Sequence, residues 1–277
     1  MVVFPHAKIN LGLNILRRRP DGYHDIDSVM YHIAWCDILE IVPAKDGHDT
    51  TLTCRGIETL DCPDNDNLVL KAYRAVKQHI DIPAVDIYLQ KNIPSGAGLG
   101  GGSADAAYTV RALDTLFDLG LSRDEMAAIV APIGADCPFF VYDSPMTASD
   151  TGTMLTPTTV PYLAGKTLVV CRPDDCHIST AQAYAGVKKD PTATPTTTVV
   201  QQPVAQWRER LHNMFEDTVF PLFPAIAALK ERFYAAGATY AAMSGSGAAV
   251  YAVFEDRRKA DEVYNALTYK HKFIQTL

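Results

Sequence analysis

Between residues 7 and 15 the chain alternates almost without fault: Ala7, Ile9, Leu11, Leu13 and Ile15 fall on one side, Lys8, Asn10, Gly12 and Asn14 on the other. Successive strand side chains leave opposite faces, so the pattern predicts a half-buried β-strand. Its polar side is unusual, because Lys and Asn are poor strand formers. A solvated face and a strand presenting Lys8 and Asn10 to a ligand fit it equally well. Further strands are predicted over residues 37–42, 51–54, 85–89, 167–171 and 249–254, with Asp46-Gly47 in the loop after the first of these.

Helical spacing alternates with these runs. Leu68, Val69, Ala72, Tyr73 and Val76 share one face of a helix, for which Asp66 is the expected N-cap. A second helix, from Ser103 to Leu119, buries Ala106, Val110, Leu113 and Phe117, with Gly120 as its stop. Ser122-Arg-Asp-Glu125 is a capping box for a third. Others are predicted over residues 179–187, 204–215, 223–236 and 257–267, while the Thr- and Pro-rich stretch 189–202 reads as an irregular loop. Strands and helices in this order imply an α/β or α+β chain with an open sheet covered by helices. Pro, Thr, Ser and Gly dominate from Ser144 through Gly165. A domain boundary is expected there, giving domains 1–155 and 156–277.

Composition adds exclusions. The 277 residues carry a net charge of -7 and a pI near 5.6, which argues against nucleic acid as a partner, since phosphate backbones are bound through excess positive charge. No apolar run approaches the ~18 residues that span a bilayer, and no leader pattern opens the chain. A cytoplasmic protein with small-molecule partners and no membrane contact, monomeric or homodimeric, is the expectation. The cysteines at 36, 54, 62, 137, 171 and 176 contain no C-x-x-C pair. Neither a disulfide framework nor a zinc site follows.

The chemistry gathers at Ile93-Pro-Ser-Gly-Ala-Gly-Leu-Gly-Gly-Gly-Ser-Ala-Asp-Ala-Ala107, which holds five of the seventeen glycines. A strand precedes it and a helix follows. Such a loop lets backbone N–H groups approach an anion at a helix N-terminus, so a phosphorylated ligand is expected. Gly96 to Gly101 satisfies G-x-G-x-x-G, yet no acidic strand end marks a dinucleotide's ribose site. A Walker loop would need Lys after the glycines, and a protein kinase would need H-R-D and D-F-G segments. Two other places stand out. Asp136, between Gly134 and Pro138 in an apolar segment, suits a turn or cap more readily than chemistry, although a buried carboxylate there would require a cationic partner. Pro20-Asp21-Gly22 is a turn flanked by Tyr23 and His24.

Taken together, Ala7-Lys-Ile-Asn-Leu11, the glycine loop and Met243-Ser-Gly-Ser-Gly-Ala248 resemble, in that order, the motifs of the galactose, homoserine, mevalonate and phosphomevalonate (GHMP) kinase superfamily. Asp21-Gly-Tyr-His24 and Gly134-Ala-Asp-Cys-Pro-Phe-Phe140 narrow the resemblance to its branch acting on a cytidine diphosphate-linked alcohol. The resemblance covers nearly the whole chain and is weakest over residues 188–202. It implies a two-domain fold, with an N-terminal ribosomal-protein-like βαβ domain and a ferredoxin-like C-terminal domain that completes the substrate cleft. It also implies ATP and Mg2+ as cofactors. Asp136 would take the proton of the substrate hydroxyl, and Lys8, its cationic partner, would stabilise charge. Pro94, Gly96, Ala97, Gly98, Leu99, Gly100, Gly101, Gly102 and Ser103 would hold the ATP phosphates, with Asn67, Leu68 and Lys91 at the adenosine end. Asn10, Tyr23, His24, Thr180 and Tyr184 would bind the second substrate, the two tyrosines sandwiching cytosine. The metal ligands are unknown, Ser103 being one candidate. In Asn213-Met-Phe-Glu216 a methionine stands where the family usually has Asp; a hydrogen bond made by that acid would be lost here or supplied by Asp217, and activity is not expected to depend on it. A kinase of the same superfamily for another alcohol, or a non-catalytic nucleotide-binding protein, are the alternatives.

Overall fold

The computed structural model describes residues 1–45, 47–56 and 66–277. Asp46 and Cys62, singled out above, lie outside the described residues. In chain order the elements are β1 (Val2–Val3), β2 (His6–Arg18), β3 (His24–Cys36), β4 (Ile38–Pro43), β5 (Thr51–Gly56), α1 (Leu68–His79), β6 (Val85–Lys91), α2 (Gly101–Phe117) and α3 (Arg123–Val130). There follow β7 (Met146–Ser149), β8 (Met154–Pro157), β9 (Thr167–Arg172), α4 (Thr180–Tyr184), α5 (Thr196–Val200), α6 (Trp207–Arg210), α7 (Glu216–Leu222), α8 (Pro224–Ala235), β10 (Tyr240–Met243), β11 (Val250–Phe254), α9 (Arg257–Ala266) and β12 (His271–Thr276).

The chain forms two compact units that interleave along the sequence rather than meeting at one cut after residue 155. The first comprises Met1–Ala7, Ile33–Ser95 and Gly100–Asp143; the second comprises Lys8–His32, Gly96–Leu99 and Ser144–Leu277. The composition shift at Ser144 coincides with the last crossing. The earlier crossings fall inside the continuous strands β2 and β3, where composition does not change, and at the glycine loop.

In the first unit the sheet order is β1-β4-β6-β5. Strands β4 and β6 are antiparallel, with Leu39 opposite Leu89 and Ile41 opposite Ile87, and β5 runs parallel to β6. Helix α2 packs against α1 and β4; its Ala104, Ala106 and Ala107 are fully buried, the small side chains allowing close approach. The cap of α1 is Asn67 rather than Asp66: the Asn67 side-chain oxygen accepts from Val69 N–H. Helix α2 stops at Phe117, two residues earlier than its apolar spacing suggests, because Asp118 turns left-handed with φ 51°.

In the second unit the sheet order β10-β11-β9-β12 is antiparallel throughout. Ile226, Leu229 and Phe233 of α8 and Ala260 and Val263 of α9 join Val169, Cys171, Val250, Ala252 and Phe254 in one core. A second sheet has the order β2-β3-β7-β8. Strand β2 is not half-buried as its alternation implied. Lys8, Asn10 and Asn14 are 3%, 2% and 7% exposed, so its polar side is enclosed as well. Strand β3 is largely buried along its length and carries no clean period-two signal.

The expected helix 204–215 breaks after Arg210. The chain turns extended so that Leu13 N–H reaches His212 O at 2.8 Å and Met214 N–H reaches Leu13 O at 2.9 Å. Partners some two hundred residues away override the local pattern. Inside the Thr/Pro-rich stretch the short helix α5 forms behind Pro195, and α7 and β12 are likewise elements that the hydrophobic pattern did not signal.

Candidate functional site

The glycine loop is built by alternation of anchor and hinge. Ala97 and Leu99 are buried, whereas Gly96, Gly98 and Gly100 take φ values of 60°, 74° and 71°, a region that L side chains rarely adopt. A Cβ on Gly98 would lie 1.9 Å from the Ser244 carbonyl oxygen. Three successive loop carbonyls are engaged: Ala97 O by Ala249 N–H at 3.1 Å, Gly98 O by the Ser244 hydroxyl at 2.8 Å, and Leu99 O by Lys8 N–H at 2.9 Å. A trans peptide points its C=O and N–H in opposite directions. The amides of Gly98, Leu99 and Gly100 are therefore directed away from those partners. Helix α2 starts immediately afterwards, with no side-chain cap and no acid in its first turn. Loop and helix start together fit a phosphate group.

The second small-residue loop is fastened from below. Asn213 is fully buried; its amide donates to Met243 O at 2.7 Å and Gly245 O at 2.9 Å, while its oxygen accepts from Phe215 N–H. Glu216, also buried, accepts from Met243 N–H at 2.8 Å and from Lys230 at 2.5 Å. Met214, where an acid was expected, places its sulfur 3.2 Å from Ile15 N–H, and Asp217 instead faces His212. The motif Asn213 to Glu216 thus works as a clamp on the loop, a role its polarity within apolar surroundings could have suggested.

Asp136 precedes the 3-10 turn Cys137–Val141 and is half-buried. Its carboxylate makes no capping hydrogen bond to that turn. The neighbouring Cys137 thiol, pushed up to about 11 by burial, shares a hydrogen bond with Ser103; Asp136's segment is thereby tied to the first turn of α2. Lys8 and Asn10 lie two residues apart on one side of β2, and the Lys8 ammonium donates to the Asn10 side-chain oxygen.

Four of the residues expected to bind the second substrate come together. Tyr23, His24, Thr180 and Tyr184, with Gly22, Thr151 and Ala181, line a cavity of about 280 Å³. Asn10 is not among its walls. At its wall His24 stacks on Tyr184 at 4.7 Å between centroids and 21° between planes, Tyr184 meets Phe215 edge-on, and Tyr23 stands 67% exposed. Burial first, then the positive charges of Lys189 and Arg18, hold the His24 pKa below its ordinary value, so the stacked ring is neutral at pH 7. A capping box between Ser179 and Gln182 starts α4 and sets Thr180 and Tyr184 at the rim.

Of the residues expected at an adenosine end, Asn67 is engaged by its helix cap, and a Cβ on Gly102 would rest 3.4 Å from Leu68. Lys91 is the third residue expected there. It is 5% exposed, and its ammonium is bound by the buried carboxylates of Asp37 and Asp105, the second at 2.6 Å. Its ammonium lies 3.3 Å from where a Cβ on Gly101 would stand. Asp37 also accepts from the N–H groups of Asn92 and Ile93, which fixes the approach to the loop. Asp37 and Asp105 escaped the sequence reading because a lone acid in a strand end or helix carries no local sign of burial.

Among the described residues no three His, Cys, Asp or Glu side chains group as a metal site, and no helix is long and apolar enough to cross a membrane.

A glycine loop opening a helix, a second small-residue loop clamped against it and a strand bearing an enclosed lysine define a small-molecule kinase of the GHMP type, and the chain belongs to the GHMP kinase family. Residues 67–144 match its N-terminal domain and residues 200–272 its C-terminal domain. Among curated relatives, the 4-diphosphocytidyl-2-C-methyl-D-erythritol kinase of Azobacteroides pseudotrichonymphae genomovar. CFP2 is 43% identical over 99% of this chain and 100% of its own. The protein of the same name from Parabacteroides distasonis is 45% identical over 92% of each. A crystal structure of 4-(cytidine 5'-diphospho)-2C-methyl-D-erythritol kinase aligns over 99% of this chain and 98% of its own with a TM-score of 0.77 at 28% identity. Methanococcus jannaschii mevalonate kinase, at 13% identity and TM-score 0.71, shares the fold.

Proposed function

We propose that this chain transfers the γ-phosphoryl group of ATP to the 2-hydroxyl of 4-diphosphocytidyl-2-C-methyl-D-erythritol, a step of the non-mevalonate route to isoprenoid precursors. The observation that carries the choice of acceptor is the cavity in which Tyr23, His24, Thr180 and Tyr184 converge, with an aromatic stack already formed at one wall. A flat, neutral, aromatic wall suits a pyrimidine base better than a small aliphatic alcohol.

In this reading Asp136 accepts the hydroxyl proton as the substrate oxygen attacks the γ-phosphorus and the bond to the β-phosphate oxygen breaks, leaving ADP. Lys8 offsets the negative charge on the transferred group. Residues 94–103 hold the phosphates through backbone N–H groups and the start of α2, and Asn67 and Leu68 flank the adenosine. Lys91 acts from beneath the loop. Asn10, Tyr23, His24, Thr180 and Tyr184 hold the acceptor. Magnesium would neutralise phosphate charge, and the Ser103 hydroxyl is one candidate to assist in holding it. Transfer of this kind depends on positioning and charge stabilisation, to which a general base adds about 10²–10⁴-fold.

The test is ATP-dependent phosphorylation of 4-diphosphocytidyl-2-C-methyl-D-erythritol by wild type and Asp136→Asn, with mevalonate and homoserine as competing alcohols. Transfer to the cytidine substrate alone, lost by about 10²–10⁴-fold in Asp136→Asn with ATP binding retained, is expected. Equal turnover of mevalonate would assign another acceptor, and near-normal turnover by the variant would remove Asp136 as base.

A further inference from the structure

Behind Lys8 lies a chain of three hydrogen bonds whose polarity is fixed at its far end. Ser28, fully buried on β3, donates its single hydroxyl hydrogen to Gly12 O at 2.6 Å. Toward Asn10 the same oxygen can therefore only accept, and it takes an amide hydrogen from Asn10 Nδ2 at 2.9 Å. An Asn side chain is otherwise free to exchange its oxygen and nitrogen by a half-turn. Here one orientation alone satisfies Ser28, and it leaves the Asn10 oxygen facing the Lys8 ammonium, which donates to it. The reverse orientation would set N–H₂ against the ammonium, and the Asn10 oxygen against a Ser28 oxygen that has no hydrogen to give. The backbone around this unit is also held: Asn10 N–H lies 3.3 Å from Ser244 Oγ, and the Tyr251 hydroxyl donates to Asn10 O at 2.8 Å. The side-chain amide is the part that depends on Ser28.

We infer that Ser28 is a positioning residue for phosphoryl transfer, acting through the Asn10 amide to aim the Lys8 ammonium. The inference rests on the reading of Lys8 as the group that offsets charge in transfer. Ser28 itself is fully buried. Removing its hydroxyl leaves Asn10 with a buried N–H lacking this acceptor and Gly12 O lacking this donor; the amide turns or wavers, and Lys8 loses a fixed acceptor.

The experiment compares Ser28→Ala, Asn10→Ala and the double variant for kcat, for KM of both substrates and for melting temperature. It is run beside Ser28→Thr and Ser28→Val, which are alike in shape and differ in the hydroxyl. Expected are a fall in kcat of about tenfold for Ser28→Ala, the size of one lost buried hydrogen bond, and a KM for ATP unchanged within about twofold. Ser28→Thr should exceed Ser28→Val in kcat by a similar factor. In the Asn10→Ala background, Ser28→Ala should add nothing further, since the path to Lys8 is already cut. Wild-type kcat in Ser28→Ala, equal kcat in the Thr and Val variants, or additive losses in the double variant would each overturn the inference. A readout free of turnover is the ¹⁵N signal of the Lys8 ammonium, observable while its hydrogens exchange slowly and broadened by Ser28→Ala. If wild type transfers no phosphoryl group, the functional reading fails by itself, and an ammonium signal indifferent to Ser28→Ala would then overturn the positioning claim.

Discussion

Ser244 donates its hydroxyl hydrogen to Gly98 O at 2.8 Å, and the Ser244 carbonyl oxygen would stand 1.9 Å from any Cβ placed on Gly98. The two small-residue loops meet backbone to backbone, with no room for a methyl group.

Gly98→Ala should therefore fail twice over, through a φ of 74° and through the clash with Ser244. We expect a loss of about 3 kcal/mol or more in stability and loss of ATP binding, seen by thermal melting and nucleotide titration. Gly96→Ala has a similar φ but nothing within 4 Å, and should cost only about 1 kcal/mol. Equal effects of the two would show that the contact with Ser244 is unimportant.

The ion triad offers a pH test. Burial, only partly countered by Lys91 and reinforced by Asp37, raises Asp105 to about 7 from 3.8. Between these values the folded chain holds a proton that the unfolded chain has released, so Asp105's contribution to stability declines as pH rises from about 4 to about 7. In urea unfolding, Asp105→Asn should be flatter than wild type across that window; parallel profiles would contradict the shift.

Lys91 itself answers to burial from one side and to Asp105 and Asp37 from the other, and the acids win, raising its pKa. Lys91→Met strands two buried carboxylates and should cost about 3–5 kcal/mol in chemical denaturation. A variant as stable as wild type would mean that the triad's charges are already neutralised without the lysine.

Tyr184→Ala removes the ring that covers His24. The His24 pKa should rise toward 6.5 in an NMR titration, since burial is the first cause of its depression. In wild type that depression works against the fold at low pH, as the unfolded chain takes up the proton first once pH falls below about 6.5. Under the proposed function, cytidine nucleotides should bind Tyr184→Ala about tenfold more weakly, Tyr184→Phe near normally, and ATP equally to all three. Calorimetry on each nucleotide checks this.

Asn213→Ala should leave the Met243 and Gly245 carbonyls and the Phe215 N–H without their partner. A loss of about 2–4 kcal/mol is expected, with a raised KM for ATP as the second loop loosens. Asn213→Asp, which keeps the acceptor and loses both donors, should be nearly as damaging.

Much of this was legible in the sequence because it is local. A glycine loop declares itself by composition, its helix follows at once, and capping boxes at Ser122 and Ser179 span only a few residues. The order of the motifs around Lys8, Asp136 and Met243 was enough to assign the family. What tertiary structure alone decided are properties set by distant neighbours. Alternation located β2 but could not tell that its polar side would be enclosed, because burial of Lys8 and Asn10 depends on β3 and on residues beyond 240. Nor could it foresee that Lys91 would be paired with acids 54 and 14 residues away, that the helix after Trp207 would be unwound by pairing with Leu13, or that His24 would lie on Tyr184. A side chain's chemistry travels with its sequence; its charge state, orientation and availability are conferred by whatever the fold packs against it.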